Sequence, residues 1–164
     1  MSIFGSRKDF NLFRGVAREL ISNVVEQVVG YYKISLESTP SNIYGESSNK
    51  VFNDPVKLNC LVTRGDQTIS ANDFGQDLTR DASFAFIKDD FIDATLMAEV
   101  GDIIYWQGDY YEVDTVKENQ LFFGKDSDYD DIETYHEKYG ASVSIICDAH
   151  LTRVDKLGIE EARI

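Results

Sequence analysis

Between residues 7 and 29 the apolar positions Phe10, Phe13, Ala17, Leu20, Ile21, Val24 and Val28 recur at steps of three and four, the period of one helix face. The spacing predicts a helix over 7–29, capped by Ser2 or Ser6, with Gly30 just past its end. Val24, Val25, Val28 and Val29 are mediocre helix formers, so the last turn is expected to run straight into the first strand. After Gly30 the period drops to two, that of a strand. "YYKISLE" (31–37), "PVKLNCLVTR" (55–64) and "DASFAFIK" (81–88) alternate in this way. Val56, Leu58, Cys60 and Val62 share one face of the second segment, and Ala82, Phe84 and Phe86 share one face of the third. "GDIIYWQGDYYEVDTV" (101–116) reads as two strands about a tight turn, followed by a short strand, "NQLFFG" (119–124), and a long one, "ASVSIICDAHLTRV" (141–154). The intervening "DDFIDATLMAEVGD" (89–102) holds one short helix capped by Asp89 or Asp90.

About seven short strands with turn signals between them predict a mainly β chain, a small antiparallel β-barrel or sandwich with a long N-terminal helix on its side or end. A length of 164 residues suits one domain. Its parts are the helix (1–30), the barrel (31–154) and a C-terminal tail (155–164). Three connections, 38–54, 65–80 and 125–140, are expected to be extended loops of the length at which loops carry function or are disordered. Tyr44, Phe52, Phe74, Tyr129 and Tyr135 lie in them. Such aromatics are costly to leave in water, so they are interface candidates that bury either against this domain or against a neighbour.

Charge narrows the range of partners. The formal net charge is −13. A surface this acidic repels DNA phosphates and anionic lipid heads at long range, which argues against tight gripping of nucleic acid. No apolar run approaches the length of a membrane span, and "MSIFGSRKDF" has no apolar stretch after its basic residues. Cys60 and Cys147 each sit in an apolar run and read as buried free thiols in a reducing cytosol. A disulfide between them stays open.

The constellations that carry chemistry are weak. Asp126, Asp128, Asp130 and Glu137 occupy positions 1, 3, 5 and 12 of a calcium loop. Against it, Asp131 stands where such loops turn on Gly, Glu133 stands where an apolar residue is usual, and the preceding segment is a strand; a solvated acidic loop is the plainer reading. Cys147 and His150 make a C-x-x-H pair with His136 upstream, but an odd separation in a strand sends two side chains to opposite faces. No nucleophile elbow, phosphate-binding loop or dinucleotide fingerprint occurs. With 29 acidic residues, pairing carboxylates by spacing discriminates nothing. Arg7, Lys8, Arg14 and Arg18 on the first helix make a face that docks on an acidic partner or stays solvated.

Several segments together carry a resemblance. "NIYGESSNKVFNDPVKLNCLV", "DFGQDLTRDASFAFIKDD", "GDIIYWQGDYYEVDTV", "ENQLFFGKD" and "SIICDAHLTRVDKLGI" resemble the neck (head-to-tail connector) proteins of contractile-tailed bacteriophages, over roughly residues 18 to 158. More distantly, Gly-Asp, an aromatic strand, a Gly turn and "YYEV" are similar to the β-barrel head-closure (stopper) proteins. The resemblance implies a virion structural protein, made in the host cytoplasm and located in the neck. It implies a homo-oligomeric ring, expected to be a hexamer, that connects the DNA-filled head to the tail and helps close the DNA channel. The portal or an adaptor lies above, and a tail terminator or another neck protein lies below. DNA passes without tight binding, and no membrane or cofactor takes part. The family carries no catalytic residues, so none are transferred and no enzyme activity is expected. Its assembly contacts come from loops and termini, which maps onto residues 38–54, 65–80 and the N-terminal helix, Arg14 and Arg18 included. A tail-completion (terminator) ring, a ligand- or calcium-binding barrel and a small hydrolase are the alternatives.

Overall fold

The computed structural model describes residues 7–35, 37–39, 50–72, 75–121, 142–153, 157 and 159. The chain is a closed six-stranded antiparallel barrel with a helix against its outside. Helix α1 (Arg7–Glu19) passes into a π-helical turn (Leu20–Val25) and then into strand β1 (Val28–Tyr32). Strands β2 (Val56–Asn72) and β3 (Gly75–Ile87) lead to the short helix α2 (Lys88–Asp93). Strands β4 (Ile103–Trp106), β5 (Asp109–Leu121) and β6 (Ser142–Thr152) complete the wall. Its order is β1-β2-β3-β6-β5-β4, and β4 closes onto β1 through Gly30 opposite Tyr105 and Tyr32 opposite Ile103. Closure pairs the wall strands on both sides, which removes sheet edges.

The expected helix over 7–29 ends early, for the reason its valines suggested. Glu26 takes the left-handed conformation (φ 48°), its amide donates to the Ile21 carbonyl five residues back, and β1 begins at Val28. β-branched residues fit a pleated strand better than a helix turn. Gly30, expected as the residue past the helix, is instead buried inside β1. The first strand is correspondingly shifted from the expected 31–37, and Ile34 keeps only an isolated bridge to Phe52. Helix α2 also differs from expectation at its start. Ile87 precedes it in an extended conformation with no side-chain cap, because Asp89 and Asp90 lie within the first turn. The Ser2 and Ser6 caps fall outside the described residues.

Among the described residues the strand count is six, because 119–121 join β5 instead of starting a strand of their own. Glu118 and Asn119, after Lys117 opposite Ile146, are absorbed as a shift of register against β6, and pairing resumes at Gln120 opposite Ser144. The segment 65–80, expected as a loop, is a strand pair over 65–72 and 75–80. The register slips between Arg64 and Gln67, and pairing continues to Asn72 opposite Gly75. That is a bulge, which takes up extra residues without ending a strand. Gly65 is needed there: a Cβ at this position would lie 2.9 Å from the Asp81 carbonyl oxygen.

The alternating faces fill the barrel as the sequence implies. Leu58, Cys60, Ala82, Phe84, Phe86, Tyr111, Val113, Ile145, Cys147 and Ala149 form one buried cluster, with Val56 and Val62 partly buried against it. Phe91 of α2 joins the same cluster, its ring edge-on to both Tyr31 and Phe86 at 5.1 Å. Phe84, Trp106 and Tyr111 stack around one another at 5.5–6.2 Å, and the Arg64 guanidinium lies over Trp106 at 4.8 Å. The β4–β5 hairpin turns at Gln107 and Gly108, both at positive φ, the geometry that matches the right-handed twist of two paired strands.

The surplus aromatics of this hairpin serve its second face. Trp106 and Tyr111 point into the barrel, whereas Tyr110 and Ile103 join Tyr32 and Leu157 on the outside, with Phe52, Tyr105 and Ile159 packed against them. Cys60 and Cys147 are buried and free, and burial pushes both thiols up to about 12.

Candidate assembly surfaces

Asp102 shows how the wall is held. It is fully buried, a position a carboxylate tolerates only when hydrogen-bonded. It accepts from the Tyr31 hydroxyl at 2.5 Å, the amides of Glu99 and Ile34 at 2.8 and 2.9 Å, and the Lys33 ammonium at 3.2 Å. Lys33 also reaches Glu99 at 2.8 Å. Burial, and then the neighbouring Asp102 charge, push the Tyr31 phenol far above its ordinary value, so this hydroxyl remains a donor. The network ties the end of β1 to the turn before β4 and is internal to the barrel. Nothing in the spacing of Tyr31 and Asp102 announced it, because the two meet only when β4 closes against β1.

The outer face of β3, β6 and β5 carries the polar cluster. The Ser83 hydroxyl donates to Asp148 at 2.7 Å, Lys117 reaches the same carboxylate at 2.6 Å, and His150 Nδ1 lies 2.8 Å from Asp114. A recess of about 430 Å³ opens here, with Arg64, Asp81, Ser83, Asp114 and Asp148 in its lining. Ser83 and His150 belong to separate pairs, so the hydroxyl is not directed at the imidazole. Cys147 is buried inside while His150 is half-exposed outside, the opposite faces that their odd spacing requires. Among the described residues no three His, Cys, Asp or Glu side chains are grouped to hold a metal ion. The calcium-loop candidates Asp126, Asp128, Asp130 and Glu137 lie outside the described residues, as do Tyr44, Phe74, Tyr129 and Tyr135.

Of the interface candidates that are described, none faces outward as an empty contact. Phe52 tucks back onto its own barrel in the outer aromatic cluster, its segment fastened by the Asn53 amide on Lys33 and the Ser35 amide on Val51. Arg14 grips Asp89 through two hydrogen bonds, and Arg18 reaches Asp90 at 3.0 Å and Asp93 at 2.6 Å. The acidic surface on which these arginines dock is α2 of the same chain.

This docking turns the helix over. Ala17 and Ile21 pack on Ile87 and Val143 of the barrel. Leu20 (50% exposed) and Val24 (71%) of the predicted stripe point to water, and so do Leu12 (64%) and Val16 (45%) beside it. Phe13, Val25 and Val28 are exposed as well. A surface helix normally buries its apolar side and shows its charges. Here the arginines are turned inward and much of the apolar face outward. The periodicity predicted the stripe and a helix on the side or end of the barrel, and left open which residues of the stripe meet the barrel.

The second unusual surface is the far half of the β2–β3 hairpin. β6 leaves β3 at Asp81 opposite His150, and β1 leaves β2 at Asn59 opposite Val28. Beyond these points Gln67–Asn72 and Gly75–Arg80 pair only with each other among the described residues. The result is a two-stranded ribbon carrying edges that the closed wall lacks. Such a ribbon is marginal by itself and gains from a partner.

No protein-family model and no curated protein matches the sequence. No helix among the described residues is long and apolar enough to cross a membrane.

Proposed function

We propose that this chain is a structural protein of the bacteriophage neck, a ring-forming barrel that joins the DNA-filled head to the tail and helps close the channel. The observation that carries the reading is the ribbon: a closed barrel, with no edge to offer along its wall, extends one hairpin beyond that wall, and among the described residues its two strands pair there only with each other. A ring closes by heterologous contacts, one surface of a subunit against a different surface of the next. The ribbon and the side of the barrel are two such surfaces. The net charge of −13 suits a passage through which DNA slides, since attractive contacts to phosphates would hold it. The portal or an adaptor above and a terminator or second neck protein below are the partners this role requires.

Deleting the gene in its parent phage is the test. The expected products are DNA-filled heads and finished tails that do not join, with neck-located density missing from the particles. Tails of uncontrolled length would assign the chain to tail completion. Intact, infectious virions lacking the chain would refute the reading.

A further inference from the structure

We propose that the outward apolar strip of α1 and its π-helical turn binds the same strip of a second copy of this chain. The strip consists of Leu12, Val16, Leu20 and Val24, continued by Val28 and by Leu61, which stands two residues along β2 from the Asn59 that faces Val28. It leaves on the order of 600 Å² of apolar surface in water, at the top of the range for a monomer's largest patch and approaching the ~800 Å² per partner of a standard interface.

Chemistry selects the occupant. The six side chains of the strip are uncharged, and Arg14 and Arg18 of the same helix are engaged on α2, so the strip itself gives a charged partner nothing to pair with. Nucleic acid and anionic lipid are further disfavoured by the acidic surface. The occupant must be an uncharged apolar ridge. Residues 12, 16, 20 and 24 recur every four positions and form such a ridge, and two ridges of this class interlock when helices cross. The strip is therefore complementary to itself, and a two-fold contact brings it against its own copy. Two copies of a −13 chain repel, and the strip lets them meet on uncharged side chains. Added salt should therefore strengthen the pair, because it screens the remaining repulsion while leaving apolar burial intact. The pairing does not rest on the neck reading, since ring closure uses different, heterologous surfaces.

Sedimentation velocity of the full chain, from low micromolar to roughly 200 µM, tests it. Monomer and dimer should exchange, with the dimer favoured as salt rises from about 0.05 to about 0.5 M. Leu20→Glu and Val16→Glu should each weaken the pair at least about tenfold. Met97→Glu, at an exposed residue outside the strip, should not. Circular dichroism and urea midpoints of dilute samples establish that the variants are folded, and Leu20→Ser replaces any variant that is not. A wild type that stays monomeric over the whole range, or a folded Leu20→Glu that pairs like wild type, overturns the proposal. Flotation of a monomer with phosphatidylcholine vesicles, lost in Leu20→Glu, would assign the strip to lipid instead. None of these outcomes decides the gene-deletion test of the neck reading.

Discussion

The β4–β5 hairpin and helix α1 are both rich in large apolar residues, yet their own chain treats them oppositely. The hairpin is covered on both faces: Ile104, Trp106, Tyr111 and Val113 by the barrel interior, Ile103 and Tyr110 by Tyr32, Leu157 and the Phe52 segment. The helix buries Ala17 and Ile21 and leaves Leu12, Val16, Leu20 and Val24 in water. Apolar periodicity reports that a face needs covering. It does not report whether the cover lies in the same molecule. In the hairpin the cover is intramolecular, so its residues carry stability. On the helix the outward face contributes little to the isolated fold and is free to serve association.

Substitutions should expose that contrast, the interior ones most strongly. Phe84→Ala empties a fully buried ring position in contact with Trp106 and Tyr111. It should cost about 3–5 kcal/mol of unfolding free energy by urea titration. Asp102→Ala removes the acceptor shared by Tyr31, Ile34, Glu99 and Lys33. Leaving buried donors unpaired should cost about 3 kcal/mol in the same assay. Gly65→Ala sets a methyl against the Asp81 carbonyl at the bulge. It should cost about 1–3 kcal/mol and loosen the ribbon, which amide hydrogen exchange over 67–80 would show. Leu20→Ser, on the exposed helix face, should change the stability of dilute protein by no more than about 0.5 kcal/mol while weakening association. A loss as large as that of Phe84→Ala would erase the distinction between the two regions.

The smallest effects should appear in acid, with opposite signs on two surfaces. Lys117, and then Ser83, hold the Asp148 carboxyl below the ordinary 3.8. Its stabilisation is complete above that value and is lost as pH falls through the lowered one. Asp90 under α1 goes the other way: burial raises its pKa, against the pull of Arg18 and with help from Asp89 and Asp93. Its charged form costs stability above the raised value, and acidification through that value relieves the cost. Asp148→Asn should therefore flatten the acid limb of the urea midpoint against pH, and Asp90→Asn should steepen it.

Local pattern made the interior legible. Alternation at 56–62 and 82–86 named residues that line the barrel, and the valines at 24–29 marked where helix becomes strand. It misread 65–80 as a loop, because a Gly-Asp pair at its start suits a bulge and a loop equally, and only the register against β3 separates them. It left Arg14 and Arg18 either solvated or facing a partner, because Asp89, Asp90 and Asp93 lie some 75 residues away along the chain.

By itself, then, the amino-acid order determined the period of each segment, the inward residues of the long strands, the tight β4–β5 turn and the acidic character of the surface. Those properties depend on neighbours a few positions apart. Tertiary structure decided closure into six strands, the extension of β2 and β3 into a ribbon, the Asp102 network and the side of α1 that faces water. Each of these is a balance between groups distant in sequence: α1 lies with Arg14 and Arg18 paired to α2 carboxylates while much of its apolar face stays in water.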